Sequence, residues 1–275
     1  MRERVQSAAV FVPLLLLALA IGRPAVVVVV VVAVVLGSLE TYRLLATAGY
    51  PALPVLGPVV ALALVADAAL PAGLRIGGPL VVGIALVILA LAAFARPEPR
   101  DGLEVWIVTL FGALYVAQLG FVISLMDSAG TLPGDAPLAA VGAERAWLLL
   151  LVLGVWAYDT GAYLVGRRVG GPRFQTHLSP SKTYAGLVGG LVACTIVSGL
   201  ILWGVGSQPL GALLVGPLLG AAAQAGDLAE SMLKRAAGAK DSGTLIPGHG
   251  GVLDRIDSFL FAAPVIALYV TVVVR

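Results

Sequence analysis

Asp227, Ser231 and Lys234 stand at i, i+4 and i+7. On a helix they line one face, and Glu230 lies one step round from it. Asp254 and Asp257 stand at i, i+3 and share a face of the helix that follows. Carboxylates gathered from neighbouring helices repel, and one of a pair then tends to keep its proton. A divalent cation removes the repulsion, because Mg²⁺ is commonly held by one or two carboxylates with phosphate oxygens completing its shell. The same acids could instead pair with Lys234, Arg235 and Arg255 as a polar rim. The stretch between the two groups is rich in phosphate-binding types. Lys234, Arg235, Lys240, Asp241, Ser242, His249 and Arg255 are interleaved with Gly238, Gly243, Gly248, Gly250 and Gly251. Basic side chains clamp phosphate oxygens. Glycines permit sharp turns that aim backbone N–H groups at an anion. A second polar segment, Ser179-Pro180-Ser181-Lys182-Thr183, offers hydroxyls and one ammonium, either for a phosphate or as an ordinary juxtamembrane patch. His177 reads as a plain loop residue.

The elements that must carry these groups are membrane helices. The chain is 60% hydrophobic and 12% charged, with a mean hydropathy of +1.03. A water-soluble fold of this size leaves too much surface wet to hide that much apolar area. Windows of about 20 apolar residues predict an all-α, polytopic protein with nine spans: 6–22, 24–42, 53–72, 78–95, 103–126, 145–166, 184–206, 210–232 and 256–274. The first window follows Arg2 and Arg4 and has the length of a signal peptide. A second apolar run follows it at once and no small-residue cleavage site precedes Arg23-Pro24, so the pair reads as a retained helical hairpin with Arg23 and Pro24 as its turn. With the N-terminus in the cytoplasm, only Arg23, Arg75, Arg145 and Arg275 of the 17 Lys and Arg fall outside, which satisfies the positive-inside rule. The glycine- and proline-bearing stretch 127–144 becomes an extracytoplasmic loop.

Polar residues concentrate in two cytoplasmic segments, 167–183 and 233–255. The expected division is therefore an N-terminal scaffold over 1–143, with probable dimer contacts, and a catalytic region over 144–275. Charged groups inside spans cost about 2.5–3.5 kcal/mol each on insertion scales and need a reason. Asp159, in Tyr158-Asp159-Thr160-Gly161-Ala162-Tyr163, is one such group. Glu40 and Asp67 read as interfacial or snorkelling acids. Cys194 reads as a small apolar helix residue, since a single cysteine can form no intrachain disulfide. A net charge of +2 gives no reason to expect a nucleic-acid partner. Carboxylates for a metal, cations for phosphates and a lipid setting point to transfer of a phosphoryl or nucleotidyl group to a lipid. Spacing does not name the base.

The stretch Ser231-Met232-Leu233-Lys234-Arg235, Lys240-Asp241-Ser242-Gly243 and Pro247-Gly248-His249-Gly250-Gly251-Val252-Leu253-Asp254-Arg255-Ile256-Asp257 resembles the signature of the phosphatidate cytidylyltransferases (CDP-diacylglycerol synthases). Asp159 to Tyr163 and Ser179 to Thr183 are similar to that family's other motifs. Ser181 stands where the family often carries a second lysine. The resemblance covers roughly 155–260 by motif.

What the resemblance implies is a reaction of CTP with phosphatidate giving CDP-diacylglycerol and pyrophosphate. The enzyme would be an integral protein of the inner membrane, its site open to the cytoplasm, dependent on Mg²⁺ with a monovalent cation beside it, and a homodimer. Family metal-binding acids map onto Asp227 and Asp254. Lys234, Arg235, Lys240 and Asp257 would be catalytic. Ser179, Lys182, Thr183, Ser231, Asp241, His249, Gly250, Gly251 and Arg255 would contact substrate, with Asp159 and Glu230 nearby. Two alternatives stand beside this reading: a CTP-dependent transferase acting on another lipid phosphate, and a cation-coupled transporter, whose polar residues would instead cluster at the midplane of two related halves.

Overall fold

The computed structural model describes residues 13, 16–246, 248 and 250–274. Most of the expected first span lies outside them, as do Pro247 and His249. The described chain is helical: α1 (Arg23–Thr47), α2 (Leu56–Ala69), α3 (Gly78–Ala93), α4 (Pro99–Ala117), α5 (Phe121–Asp127), α6 (Ala143–Val169), α7 (Tyr184–Gly204), α8 (Ala212–Ala236) and α9 (Leu253–Tyr269). Among the described residues no strand forms, only two isolated antiparallel bridges, Arg173–Thr183 and Ile246–Gly250.

Seven helical stretches among the described residues are long and apolar enough to cross a bilayer: Arg23–Thr47, Ala72–Ala93, Pro99–Asp127, Ala143–Val169, Tyr184–Gly204, Pro209–Ala236 and Leu253–Val274. The expected span over 53–72 is different. It is helical only over Leu56–Ala69, 14 residues, or about 21 Å at 1.5 Å per residue, against a hydrocarbon core of about 30 Å. Proline sets both limits. Pro51 and Pro54 hold back its start, and Leu70, just before Pro71, is extended at ψ 152°.

The chain divides into two compact units. One comprises the chain up to Ile123 together with Met232–Ile256, so the glycine-rich segment between α8 and α9 belongs with the N-terminal helices. Its α1 begins at Arg23, with Pro24 in the first turn, where the missing N–H costs nothing. Gly22, at φ 94° and ψ −154°, breaks the helix before it in a conformation open almost only to glycine. Val26, Val30 and Val34 are buried while Val28 and Val32 are exposed. The Arg23 guanidinium donates to the carbonyl of Ala69 at 3.0 Å, capping the C-terminus of α2 with a cation. Asp67 is buried rather than snorkelling: its Oδ1 accepts from the amides of Ile76, at 2.8 Å, and Gly77.

The second unit comprises Ser124–Ser231 and the chain from Asp257 onward. Here α6 and α7 pack along their length through small residues, which is how helices approach closely where lipid removes the hydrophobic drive. A Cβ at Gly161 would lie 2.6 Å from the Cβ of Ala193, and one at Gly190 would lie 2.7 Å from the Tyr158 ring. The opposite face of α7 presents Val188, Val192, Ile196 and Leu200, all exposed, while Gly190, Cys194, Ser198 and Leu202 are buried. Small and polar inside with large and apolar outside suits a helix solvated by lipid.

Candidate active site

In the first unit, α8 ends where Gly238 turns left-handed at φ 64°, and its last turn carries Lys234 and Arg235, cations at the negative end of the helix dipole. The Lys234 ammonium reaches Oδ1 of Asp254 at 2.7 Å, with both side chains mostly sheltered from solvent. Oδ2 of Asp254 accepts from the amide of Ser242, the hydroxyl of Ser242 and the amide of Gly251, each at 2.8 Å. Asp254 sits in the first turn of α9. Four donors, one of them charged, therefore fix one carboxylate.

The glycines of this segment serve that carboxylate. A Cβ at Gly250, itself at φ 83°, would come 2.5 Å from Oδ2 of Asp254. One at Gly251 would collide with the Ser242 hydroxyl and with the carboxylate of Glu40, and one at Gly243 would lie 2.6 Å from Oε1 of Glu40. A turn closed by the amide of Ile246 donating to Gly250 O at 2.9 Å brings Gly250 and Gly251 into place. Around it Arg235, Lys240, Asp241 and Arg255 are exposed. His249, expected to contact substrate, lies outside the described residues.

Glu40 is the residue that the sequence reading missed. It is fully buried, not snorkelling. Its carboxylate accepts from Leu253 N at 2.7 Å and Val252 N at 3.1 Å, and its Oε2 lies 3.1 Å from the Ser242 hydroxyl. Its sequence signal is an acid near the end of a long apolar run, since its partners lie more than 200 positions away.

In the second unit, Lys182 pairs with Asp227 of α8, and the Ser231 hydroxyl faces Oδ1 of Asp227 at 3.4 Å. The segment before α7 folds on itself: Phe174 N donates to Lys182 O at 3.2 Å and Tyr184 N to Pro172 O at 3.0 Å. Thr183 caps α7, its buried hydroxyl oxygen accepting from Gly186 N at 3.1 Å. Ser179 is half-buried and Ser181 exposed. Gly226 lets the backbones of α8 and α9 meet: a Cβ there would lie 3.1 Å from the carbonyl carbon of Asp257 and from Ser258 Cα. Asp257 is half-buried, and its Oδ1 accepts from Ser258 N at 2.6 Å. Glu230 is buried, whereas Asp159 is exposed beside the buried Tyr158, whose hydroxyl donates to Gln224 Oε1 at 2.8 Å.

Among the described residues no three His, Cys, Asp or Glu side chains come together as a metal cage. A magnesium ion completed by water and phosphate oxygens needs no such trio. Asp254 in the first unit and Asp227 in the second each present a hard carboxylate facing a lysine ammonium, an oxygen type that such an ion takes.

The chain matches the model of the "Cytidylyltransferase family" over residues 2–273. It is 37% identical over 194 residues to a protein of Brucella suis named phosphatidate cytidylyltransferase, covering 70% of this chain and 64% of that protein. Proteins with the same name from Staphylococcus haemolyticus, 44% identical over 122 residues, and Synechocystis, 46% identical over 119 residues, match 44% and 42% of this chain and 47% and 40% of their own lengths. The chain thus spans under two thirds of the length of these curated relatives.

Proposed function

Because the chain belongs to the cytidylyltransferase family, we propose that it makes CDP-diacylglycerol and pyrophosphate from CTP and phosphatidate. A phosphatidate oxygen attacks the α-phosphorus of CTP, the bond from that phosphorus to the bridging oxygen breaks, and pyrophosphate leaves with the electron pair. The phosphate monoester is already nucleophilic near neutral pH, so no strong general base is required. The difficulty is the approach of two anions, and it is met by charge. The observation that carries the reading is the Asp254 carboxylate, held among four donors of which Lys234 is one.

Asp254 and Asp227 are the residues that would hold magnesium, which supplies charge neutralisation at the triphosphate. Lys234, Arg235, Lys240 and Arg255 take up charge on phosphatidate and on departing pyrophosphate. Lys182 contacts a phosphate when it releases Asp227. The positive-inside arithmetic supports a site facing the cytoplasm at the inner membrane, and the family resemblance supports a homodimer. The cation-coupled transporter is not favoured, since the relatives carry the name of a nucleotidyltransferase.

Purified protein in detergent with CTP and Mg²⁺ should release pyrophosphate only when phosphatidate is added. Release that ignores the lipid, or that another nucleoside triphosphate supports equally, would overturn the proposal.

A further inference from the structure

We infer that Glu40, on the N-terminal helix α1, is a positioning residue for the Asp254 carboxylate; the inference rests on the transferase reading for its kinetic consequence but not for its structural one. Three features carry it. Glu40 is fully buried, and its carboxylate meets donors of the segment that presents Asp254: the amides of Val252 and Leu253 at the start of α9, and the Ser242 hydroxyl. A carboxylate against the first N–H groups of a helix satisfies donors that have no partner within it and meets the positive end of its dipole. Glu40 thus caps α9 from a different helix, one residue before Asp254.

The Ser242 hydroxyl links the two acids. Its oxygen lies 3.1 Å from Oε2 of Glu40 and 2.8 Å from Oδ2 of Asp254, yet it has one proton to give. Whichever carboxylate does not receive it keeps backbone donors, Leu253 N for Glu40 and the Ser242 and Gly251 amides for Asp254. The pair can therefore redistribute one hydrogen bond without leaving either acid bare. That is what a site needs if the surroundings of Asp254 change when an anion or a cation arrives. Gly243 and Gly251 have no room for a Cβ because Glu40 fills that space. Glu40 and the two glycines therefore form one packed unit, with Glu40 as the part contributed by the N-terminal helices.

The test uses the full chain in detergent. Glu40→Gln keeps the shape but turns an N–H donor toward amides that are themselves donors. Removing a charge-assisted bond of this kind predicts amide exchange at Val252 and Leu253 faster by about 10-fold or more, while exchange in α6 and α7 is unchanged. It also predicts turnover down by about 10-fold or more, with a smaller change in KM for CTP. Ser242→Ala removes one donor and leaves both amide contacts, so it should move the same two readouts in the same direction by less, and it decides the matter if Glu40→Gln does not fold. Exchange at residues 252 and 253 that matches wild type, or turnover that matches wild type despite faster exchange, overturns the positioning role. A wild-type protein that transfers no cytidylyl group would defeat the transferase reading alone, since the exchange measurement needs no turnover.

Discussion

Thr183 and Gly251, which the family resemblance sets against substrate, also have structural jobs in the fold. The fold gives Thr183 the N-cap of α7 and sets Gly251 against Glu40 and Ser242. The cap was readable, since a threonine directly before an apolar helical run is a start signal. Thr183→Ala should lower the unfolding free energy by about 1 kcal/mol, seen as an earlier thermal midpoint in detergent; an unchanged midpoint would contradict the capping role. Glu40 was not readable in that way, because its partners come from the far end of the chain and no local pattern relates α1 to residues 242–253. Cys194, expected to be a small apolar helix residue, is also buried.

At the scale of elements, apolar windows locate a helix in every expected span that the structure describes, and proline explains the departure. The α2 segment is apolar over about 20 positions, but Pro51, Pro54 and Pro71 confine its helix to Leu56–Ala69. Hydropathy counts apolar residues and does not see the backbone that prolines deny. Helix contacts were less legible than helices, since they depend on which glycine meets which neighbour. Gly226 packs against the Asp257 backbone in the second unit, beside Asp227. Gly226→Ala should therefore destabilise the protein by about 1–3 kcal/mol through overpacking and disturb the setting of Asp227. Thermal unfolding checks the first effect and transfer rate the second; a variant equal to wild type in both would show that α8 and α9 do not meet there.

For the whole molecule, composition alone fixed the lipid setting, and the exposed apolar face of α7 agrees with it. The charge distribution predicts which side faces the cytoplasm. In a Cys194→Ala background, Lys240→Cys should react with an impermeant thiol reagent in inverted vesicles and not in intact cells; the reverse pattern would invert the topology. Met232–Ile256 groups with the N-terminal helices, a pairing of distant segments that no local pattern in the sequence announces. The most direct test of the account follows label from the α-phosphate of CTP into extractable lipid, comparing wild type with Asp254→Asn and Asp227→Asn. Label should enter lipid only with Mg²⁺ and phosphatidate present, and each variant, still monodisperse in detergent, should lose the rate by about 100-fold or more. Either variant labelling lipid at the wild-type rate would contradict the role given to these two carboxylates.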